Sequence, residues 1–221
     1  PWNSLNCGLH VGDRAEDVTE NRRRVAEAAG LSFRMWTCAE QVHGKEVFVA
    51  TADAAGAGRE SAGEAIPGRD ALVTNVPQLM LCAFYADCVP ILFVDPVRRA
   101  VGVAHAGWRG TAAGVAAETV RTMARAFGTV PDDLHAAIGP SIRECCYEVD
   151  DNVASRFRNV PESCLTPSSP GRFKLDLAKI NRHQLTEAGI LPNRIEITNY
   201  CTNCRKDLFY SHRGENGRTG R

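Results

Sequence analysis

The stretch YADCVPILF (residues 85–93) is followed, after a short turn, by VAHAGWRGT (residues 103–111). Both stretches have the apolar composition of buried strands, and both carry polar side chains at one end. The first presents Asp87 and Cys88, and the second delivers His105 into a Gly-Trp-Arg-Gly turn. An inert core has no need of these groups, so we interpret the two stretches as parts of an active site.

The composition favours a protein that acts on small molecules. With 221 residues the chain has ample length for a core, and we expect a single domain over residues 1–221. The 26 basic residues balance the 26 acidic ones, so the chain has no net charge that would attract nucleic acid or an anionic membrane. We therefore expect neither nucleic acid nor membrane as a partner, and a monomer or a weak homodimer.

Cysteine usage predicts the cellular compartment. The nine cysteines are an odd number, the chain is longer than a disulfide-stapled mini-domain, and no secretory leader precedes Pro1. These features predict reduced thiols and a cytoplasmic location. The longest apolar run, residues 79–94, is shorter than the roughly 20 residues of a membrane span and is interrupted by Asp87. No membrane segment is predicted.

Apolar runs separated by glycine and proline predict an α+β fold with mixed β-sheets and flanking helices. Strands are predicted at residues 33–39, 45–52, 69–75, 79–85, 89–94, 100–104, 134–138 and 194–198. Helices are predicted at residues 17–29, 111–127, 149–158 and from 173 or 176 to 188. The strands between residues 69 and 104 are expected to form one largely buried sheet, and residues 52–68 and 163–172 to form loops. The chain lacks the Gly-x-Gly-x-x-Gly turn of a dinucleotide-binding fold.

Two histidines and a cysteine form a candidate metal site. His43 lies beside a glycine at a predicted bend between strands, and Cys88 and His105 lie in the two stretches described above. Two imidazole nitrogens and a thiolate suit Zn²⁺ and leave a fourth position for water, which such a site activates as a nucleophile. Spacing alone is a weak signal, because a buried thiol or a hydrogen-bonded histidine is the commoner role for each residue.

Arg109 is a candidate anion-binding residue. It lies between two glycines where a turn meets the helix that Thr111 opens, and backbone N–H groups at a helix start favour anions. This placement predicts that Arg109 and Thr111 bind phosphate, although a structural salt bridge is an alternative for Arg109. The neighbouring Trp108 can stack on a base or fill the core.

The pair Cys201 and Cys204 has Cys-x-x-Cys spacing, which is compatible with half of a structural zinc site or with a redox pair. No second pair with suitable spacing is apparent in the sequence. A turn that carries two reduced thiols is therefore the favoured interpretation.

Several motifs, in order along the chain, resemble the YfiH-like laccase-domain family. They are NCGLHVGD (6–13), ENR (20–22), QVHG (41–44), ADCVPIL (86–92), AHAGWRGT (104–111), GPSI (139–142), CYEV (146–149), SHR (211–213) and TGR (219–221). AHAGWRGT together with ADC is highly specific, whereas QVHG or TGR alone is not. Members of this family were long labelled multicopper polyphenol oxidases and are now regarded as purine nucleoside phosphorylases with adenosine deaminase activity.

The resemblance implies a YfiH-like α+β domain over residues 1–221 in which His43, Cys88 and His105 hold zinc. It implies that phosphate cleaves adenosine, inosine, guanosine and methylthioadenosine to a free base and a pentose 1-phosphate. It also implies that water activated at the zinc deaminates adenosine.

The same resemblance suggests roles for residues around the metal. Arg109 would hold the attacking phosphate, and Arg213 would help to line the pocket because the family's C-terminal segment folds back near the site. Asp87 is the candidate acid for the departing purine, with a zinc-bound water or His10 as alternatives. The position of His212 departs from the usual YRR motif and puts a second arginine in doubt.

Other functions remain open at this point. A copper-dependent phenol oxidase, suggested by the older family label, is disfavoured because a laccase needs many more histidines than the six present. A thiol hydrolase that uses Cys88 as nucleophile and His105 as base is compatible with the residue types. A non-enzymatic accessory module in cell division or in the cell wall is the remaining alternative.

Overall fold

The structure, a computed structural model, describes residues 4–221. Its strands, numbered β1 to β11 in chain order, are Trp36–Cys38, Val47–Val49, Ala71–Thr74, Met80–Cys82, Val89–Asp95, Ala100–Ala106, His135–Ile138, Glu148–Asp150, Leu165–Ser169, Arg172–Leu175 and Ile195–Ile197. Its α-helices, numbered α1 to α5, are Ala15–Ala28, Trp108–Ala113, Val115–Phe127, Asp151–Ala154 and Leu177–Glu187. The predicted α+β class with mixed sheets and flanking helices is confirmed.

A six-stranded mixed sheet forms the centre of the molecule, in the order β11-β7-β5-β6-β3-β2. Its middle is the antiparallel hairpin β5–β6, in which Ile91 faces Ala104. Strand β7 pairs antiparallel with β5, and β3 pairs antiparallel with β6, whereas β11 and β2 add parallel strands at the two edges. The stretches 85–93 and 103–111 thus contribute neighbouring strands at the centre of the largest sheet.

The main core lies between this sheet and the helices. Along β5, Val89, Ile91 and Phe93 are buried, while Leu92 and Val94 on the other face are exposed. Helix α3 packs on β6, β3 and β2, and also against α5. One face of β5 is therefore core and the other is open, so the sheet is less buried than its apolar sequence predicts.

Residues 69–104 do not form one sheet. Strand β4 pairs in parallel with β1, with Trp36 opposite Met80 and Cys38 opposite Cys82, and these two strands stand apart as a small sheet. A separate cluster that contains Trp36, Cys38 and Phe84 packs around this pair. The prediction of a single sheet was wrong because apolar runs identify strands but not their partners.

The predicted loop at residues 163–172 was also wrong. It forms strand β9 and the turn into β10, and these strands join β8 in a three-stranded antiparallel sheet. Strand β9 is mostly exposed and contains Pro167, so it lacks the apolar alternation that marks a strand. The helix expected at 149–158 is shortened because its first residues belong to β8, leaving α4 and a following 3₁₀ turn.

The predicted helix at residues 111–127 begins three residues earlier and is interrupted. Helix α2 ends at Gly114, whose φ of 81° lies in the left-handed region that glycine tolerates, and α3 starts at the next residue. The segment that carries Trp108 and Arg109 is consequently a short, separate helix. Within residues 4–221, no helix is long and apolar enough to cross a membrane.

Candidate functional site

The β5–β6 hairpin brings Cys88 and His105 together. Cys88 directly precedes β5, and in the hairpin register Val89 faces Ala106 while Pro90 faces His105. His43 reaches the same place from the turn between β1 and β2, and the rings of His43 and His105 lie 4.8 Å apart. The ligand atoms of His43, Cys88 and His105 all lie within 4.8 Å of one another, so these side chains can hold a metal ion.

The turn that carries His43 is built on the carboxylate of Asp70. The backbone N–H groups of Val42, His43 and Gly44 donate to this carboxylate over 3.1, 2.9 and 2.6 Å. His43 itself has a φ of 62°, in the left-handed region. A non-glycine residue keeps this conformation only where neighbouring groups support it, and Asp70 supplies that support.

Asp70 also orients His105. Its Oδ1 lies 2.8 Å from Nδ1 of His105, which directs the other ring nitrogen, Nε2, towards the remaining ligands. Sequence analysis missed Asp70, which is 35 residues from its partner. The pairing of β3 with β6 reveals it: Ala71 lies opposite Ala104, and continuing the same register by one residue places Asp70 opposite His105.

The electrostatics of the three side chains favour a thiolate. Burial alone would raise the pKa of Cys88, but hydrogen bonds from His105 and His43 lower it to about 6. Burial alone would lower the pKa of His105, but Asp70 and Cys88 raise it to about 9. The contacts with the two histidines therefore favour the thiolate of Cys88, which is the form of cysteine that binds metals.

Gly107 leaves room for this cluster. A Cβ atom at that position would lie 2.9 Å from Nδ1 of His43 and 3.0 Å from Sγ of Cys88, closer than side chains pack. Only glycine therefore allows the backbone of the AHAGW turn to approach both donors. Two nitrogens and one sulfur around a site closed by a glycine fit a zinc ion with an open coordination position.

A cavity of about 450 Å³ opens above the cluster, large enough for a small organic ligand. His43, Cys88 and His105 form part of its lining. Aromatic and cationic side chains form much of the remaining wall: Phe84, Trp108, Tyr147, His10, Arg109, His212, Arg213 and Arg221. This combination suits a ligand with both a flat apolar ring and an anionic group.

The predicted phosphate-binding residues separate into two groups. Arg109 is exposed at the cavity wall, and its guanidinium lies 4.3 Å from the centre of the Trp108 ring. Thr111 is fully buried, and its hydroxyl donates to Ala106 and accepts from Asn181. Thr111 therefore joins α2 to α5 within the fold, and we propose no phosphate contact for its side chain.

Asp87 anchors the C-terminal segment at the cavity. Its carboxylate accepts hydrogen bonds from Thr202 Oγ1 at 2.6 Å, Ser211 Oγ at 2.8 Å and the backbone N–H of Arg213 at 2.6 Å. Asp87 precedes β5 rather than lying in it, and its φ of 84° re-aims the side chain away from the regular strand direction. Through these three contacts Asp87 fixes the position of the segment that carries Arg213.

His10 and Arg221, near the two ends of the described chain, line another side of the cavity. The side-chain oxygen of Asn6 accepts from the backbone N–H of Arg221, and the carbonyl of Arg221 accepts from Cys7. Burial together with the charge of Arg221 lowers the pKa of His10, which keeps the imidazole neutral near pH 7. Sequence analysis named TGR as a motif but missed Arg221 as a cavity residue.

Comparison with known proteins identifies the family. The model of the multi-copper polyphenol oxidoreductase laccase family matches residues 1–221. The chain belongs to this family. The resemblance inferred from the motifs is therefore confirmed.

Curated relatives within this laccase family carry enzyme names. "Purine nucleoside phosphorylase YlmD" of Geobacillus stearothermophilus is 45% identical, over 100% of this chain and 82% of the relative. The protein of the same name from Bacillus subtilis is 38% identical, over 100% of this chain and 81% of the relative. "Purine nucleoside phosphorylase LACC1" of Homo sapiens is 35% identical over 88% of this chain, but this match covers only 44% of the human protein.

Solved structures of the laccase family share the fold. The crystal structure of the Bacillus licheniformis hypothetical protein YfiH has a TM-score of 0.97 and 41% identity, covering 100% of this chain and 84% of that chain. The crystal structure of YlmD from Geobacillus stearothermophilus has a TM-score of 0.96 and 45% identity, covering 100% of this chain and 83% of that chain. The YfiH-like fold is therefore confirmed.

Proposed function

We propose that the chain is a zinc-dependent purine nucleoside phosphorylase that also deaminates adenosine. The names of the curated relatives support the first activity. The observation that carries the proposal is the convergence of His43, Cys88 and His105 in a cavity whose wall also contains Arg109. A single bound ligand could therefore contact both the metal-ligand cluster and the anion-binding Arg109.

His43, Cys88 and His105 are the proposed metal ligands. A set with a thiolate and two imidazoles suits Zn²⁺ and disfavours the hard cations Mg²⁺ and Ca²⁺. When bound, zinc lowers the pKa of a coordinated water and so makes a nucleophile available at neutral pH. Asp70 holds His105 in the tautomer that such ligation requires, through the contact at 2.8 Å.

Arg109 and Arg213 are the proposed phosphate-binding residues. Both guanidinium groups lie at the cavity, and planar guanidinium groups bind phosphate oxygens through paired hydrogen bonds. The side chain of Arg213 also donates to the carbonyl of Glu148 at 3.0 Å and lies 5.2 Å from the ring of Tyr147, which holds its orientation. Arg221 adds a third positive charge at the same cavity.

Aromatic side chains provide the proposed site for the purine. Trp108 and Phe84 lie in the cavity wall, and flat rings of this kind stack on a nucleobase. Trp108 is also held against Arg109, so the base-binding and phosphate-binding surfaces adjoin. This arrangement suits a purine nucleoside, with its ribose C1′ between the base and the phosphate.

In the proposed phosphorolysis, a phosphate oxygen forms a bond to C1′ while the bond between C1′ and the purine nitrogen breaks. The bonding electron pair leaves with the purine, the hydrogen phosphate loses one proton and the purine gains one, and the sugar leaves as pentose 1-phosphate. The cationic side chains of the cavity hold the phosphate next to C1′. The negative charge of the bound phosphate then stabilises the positive charge that develops on the ribose. Asp87 contributes by holding the segment that carries Arg213.

In the proposed deamination, the oxygen of a water molecule forms a bond to C6 of adenine and the C6–N bond breaks. The amino group leaves as ammonia, and adenosine becomes inosine. The neutral His10 lies in the cavity wall and can hydrogen-bond the purine edge. Both reactions then use one pocket and differ in the atom that is attacked.

The proposal is tested by incubating the zinc-replete protein with inosine and phosphate. We expect hypoxanthine and ribose 1-phosphate in equal amounts, and inosine from adenosine without phosphate. Arg109→Met should raise the KM for phosphate about tenfold or more, since a hydrogen bond to a charged group contributes about 1.5–3 kcal/mol. The exposed Arg156→Met is the matched control. Absence of both products in zinc-loaded protein rejects the proposal.

Two alternatives are separated by further assays. A copper oxidase, suggested by the family description, would turn over phenols in copper-loaded protein. A thiol hydrolase is favoured by the lowered pKa of Cys88, about 6, and would be active without metal and form an acyl adduct on Cys88. Phosphorolysis that needs zinc and is lost in Cys88→Ala, His43→Ala and His105→Ala contradicts both alternatives.

A further inference from the structure

Four cysteines outside the proposed active site converge on one point of the surface. Sequence analysis found the pair Cys201 and Cys204 and no partner pair for it. In the fold, Cys145 and Cys146 lie directly beside them, and the four Sγ atoms all lie within 4.8 Å of one another. Among the described residues, this group and the His43–Cys88–His105 cluster are the ones whose donors are close enough to share a metal ion.

We propose that Cys145, Cys146, Cys201 and Cys204 form a second, structural metal site that binds Zn²⁺ through four thiolates. A tetrahedral Zn²⁺ with Zn–S bonds of about 2.3 Å separates its sulfur ligands by about 3.8 Å. The Sγ atoms of Cys145 and Cys204 lie 3.7 Å apart, and those of Cys146 and Cys204 lie 3.4 Å apart. These separations suit ligands of one ion and exceed the roughly 2.05 Å of a disulfide.

Backbone contacts bring the four thiols together, although the two pairs are more than fifty residues apart in sequence. Ser141 and Cys201 form a parallel β-bridge, and the N–H of Thr202 donates to the carbonyl of Ser141 at 3.1 Å. The N–H of Cys146 donates to Arg143 at 2.9 Å, which forms the turn that presents Cys145 and Cys146. The ligand geometry thus exists in the fold without the ion, as a preorganised site requires.

The surroundings also suit a metal. Cys145 and Cys204 are exposed, Cys146 is half-buried and Cys201 is buried, so an ion can enter from solvent and be held at the protein surface. The other cysteines outside the active site serve a different purpose. Cys38 and Cys82, for example, are buried in the apolar cluster around Trp36 and behave as core side chains.

The site would join two segments that form the active-site cavity. Tyr147, which follows Cys146, lies in the cavity wall. Thr202, between Cys201 and Cys204, donates to the carboxylate of Asp87 next to Cys88. A metal bound to both cysteine pairs would therefore fix the cavity wall as well as the surface turn.

The experiment counts metal in the reduced full chain after zinc loading and removal of unbound zinc. We expect about two Zn²⁺ per chain in the wild type, one at each site, because each donor set suits zinc. Cys204→Ser and His43→Ala should each retain about one ion, and the double variant should retain none. Cys164→Ser, which alters a buried cysteine of the main core, is the control and should retain both ions.

A second measurement does not depend on the folding of the Cys204 variant. In the His43→Ala protein loaded with Co²⁺, the remaining ion should show the thiolate-to-cobalt charge-transfer absorption of a sulfur-rich tetrahedral site. One Zn²⁺ in the wild type with none in His43→Ala would overturn the proposal. Alkylation of the four thiols at the same rate in zinc-loaded and zinc-free protein would overturn it too. Neither readout uses catalytic activity, so failure of the proposed function leaves this result intact.

Discussion

The carboxylate of Asp70 links the two histidines of the proposed metal site. It accepts three backbone N–H groups from the turn that carries His43, and it contacts Nδ1 of His105. A buried carboxylate that accepts this many hydrogen bonds remains ionised, and its replacement disturbs every group that it contacts. A residue that binds neither metal nor substrate is therefore expected to control how the ligands are arranged.

We predict that Asp70→Asn weakens zinc binding by about 10–100-fold, the usual effect of removing the partner of a metal-bound histidine. The amide cannot accept from the His43 turn and pair with His105 as the carboxylate does. Zinc affinity is measured by competition with a chelating dye. Asp53→Asn, at an exposed position, is the matched control and should bind zinc as the wild type does. Unchanged affinity in Asp70→Asn would contradict the role given to this residue.

Gly107→Ala tests how closely the backbone must approach the ligands. The added methyl would lie about 3 Å from both Nδ1 of His43 and Sγ of Cys88, so these atoms must separate. We expect zinc occupancy to fall and stability to decrease by about 1–3 kcal/mol, as in other overpacked sites. Gly63→Ala is the control, because its Cβ would meet only the side chain of Ser61, at 3.8 Å. Metal analysis and urea unfolding measure the two effects.

The sequence pointed to three residues that the fold brings together, but not to the carboxylate that supports them. His43, Cys88 and His105 could be singled out because their residue types suit one ion, and the fold brings all three together. Asp70 could not, because an aspartate before a strand is common, and only the register of β3 and β6 places this one beside His105. Donor chemistry is thus visible in a sequence, whereas the group that orients a donor emerges only from strand pairing.

At the scale of elements, the β5–β6 hairpin determines where the ligands meet. Its turn is held by Asp95, which is buried and whose carboxylate accepts the backbone N–H groups of Val97 and Arg98, both at 2.9 Å. Burial alone would raise the pKa of Asp95, but these hydrogen bonds outweigh it and hold the pKa below its usual range. The turn therefore depends on the charged form of this carboxylate.

Asp95→Asn should destabilise the protein by about 1–3 kcal/mol at pH 7, since hydrogen bonds to a charged group are lost. Because the folded-state pKa of Asp95 is lowered, its contribution is complete above the unfolded-state pKa of about 3.9. It is lost as the pH falls through the folded-state value. Urea unfolding of both proteins after metal removal should therefore give a smaller difference at acidic pH than at pH 7. A difference that is constant with pH would contradict this account.

Element prediction failed where local sequence and tertiary pairing disagree. The exposed, proline-containing strand β9 was assigned to a loop, because it has no apolar face to reveal it. The break at Gly114 was missed because isolated glycines also occur within helices, and the φ of 81° that ends α2 is a property of the packed chain. In contrast, β5 and β6 were recognised because their apolar content is set by the core they form.

For the whole molecule, the α+β class followed from the sequence, but the division of residues 4–221 into three sheets did not. The C-terminal segment was expected near the site, but the contacts that tie it to the first residues of the described chain were missed. Asn6 is fully buried and its side-chain oxygen accepts the backbone N–H groups of Gly8 and Arg221, at 3.0 and 2.8 Å. Such contacts across more than 200 residues have no local signal, since a single asparagine between polar neighbours looks like a turn residue.

Asn6→Ala should detach the segment that carries Arg221 from the segment that carries His10. We expect a loss of about 1–3 kcal/mol in stability, because buried backbone N–H groups lose their acceptor. If the proposed phosphorolysis is correct, the KM for phosphate should rise while zinc content stays unchanged, because the proposed metal ligands lie just before β5, on β6 and in the His43 turn. Asn152→Ala, at an exposed position, is the control. Thermal unfolding, metal analysis and steady-state kinetics on one preparation separate these effects. Loss of zinc together with the change in KM would show instead that the two chain segments and the metal cluster form a single cooperative unit.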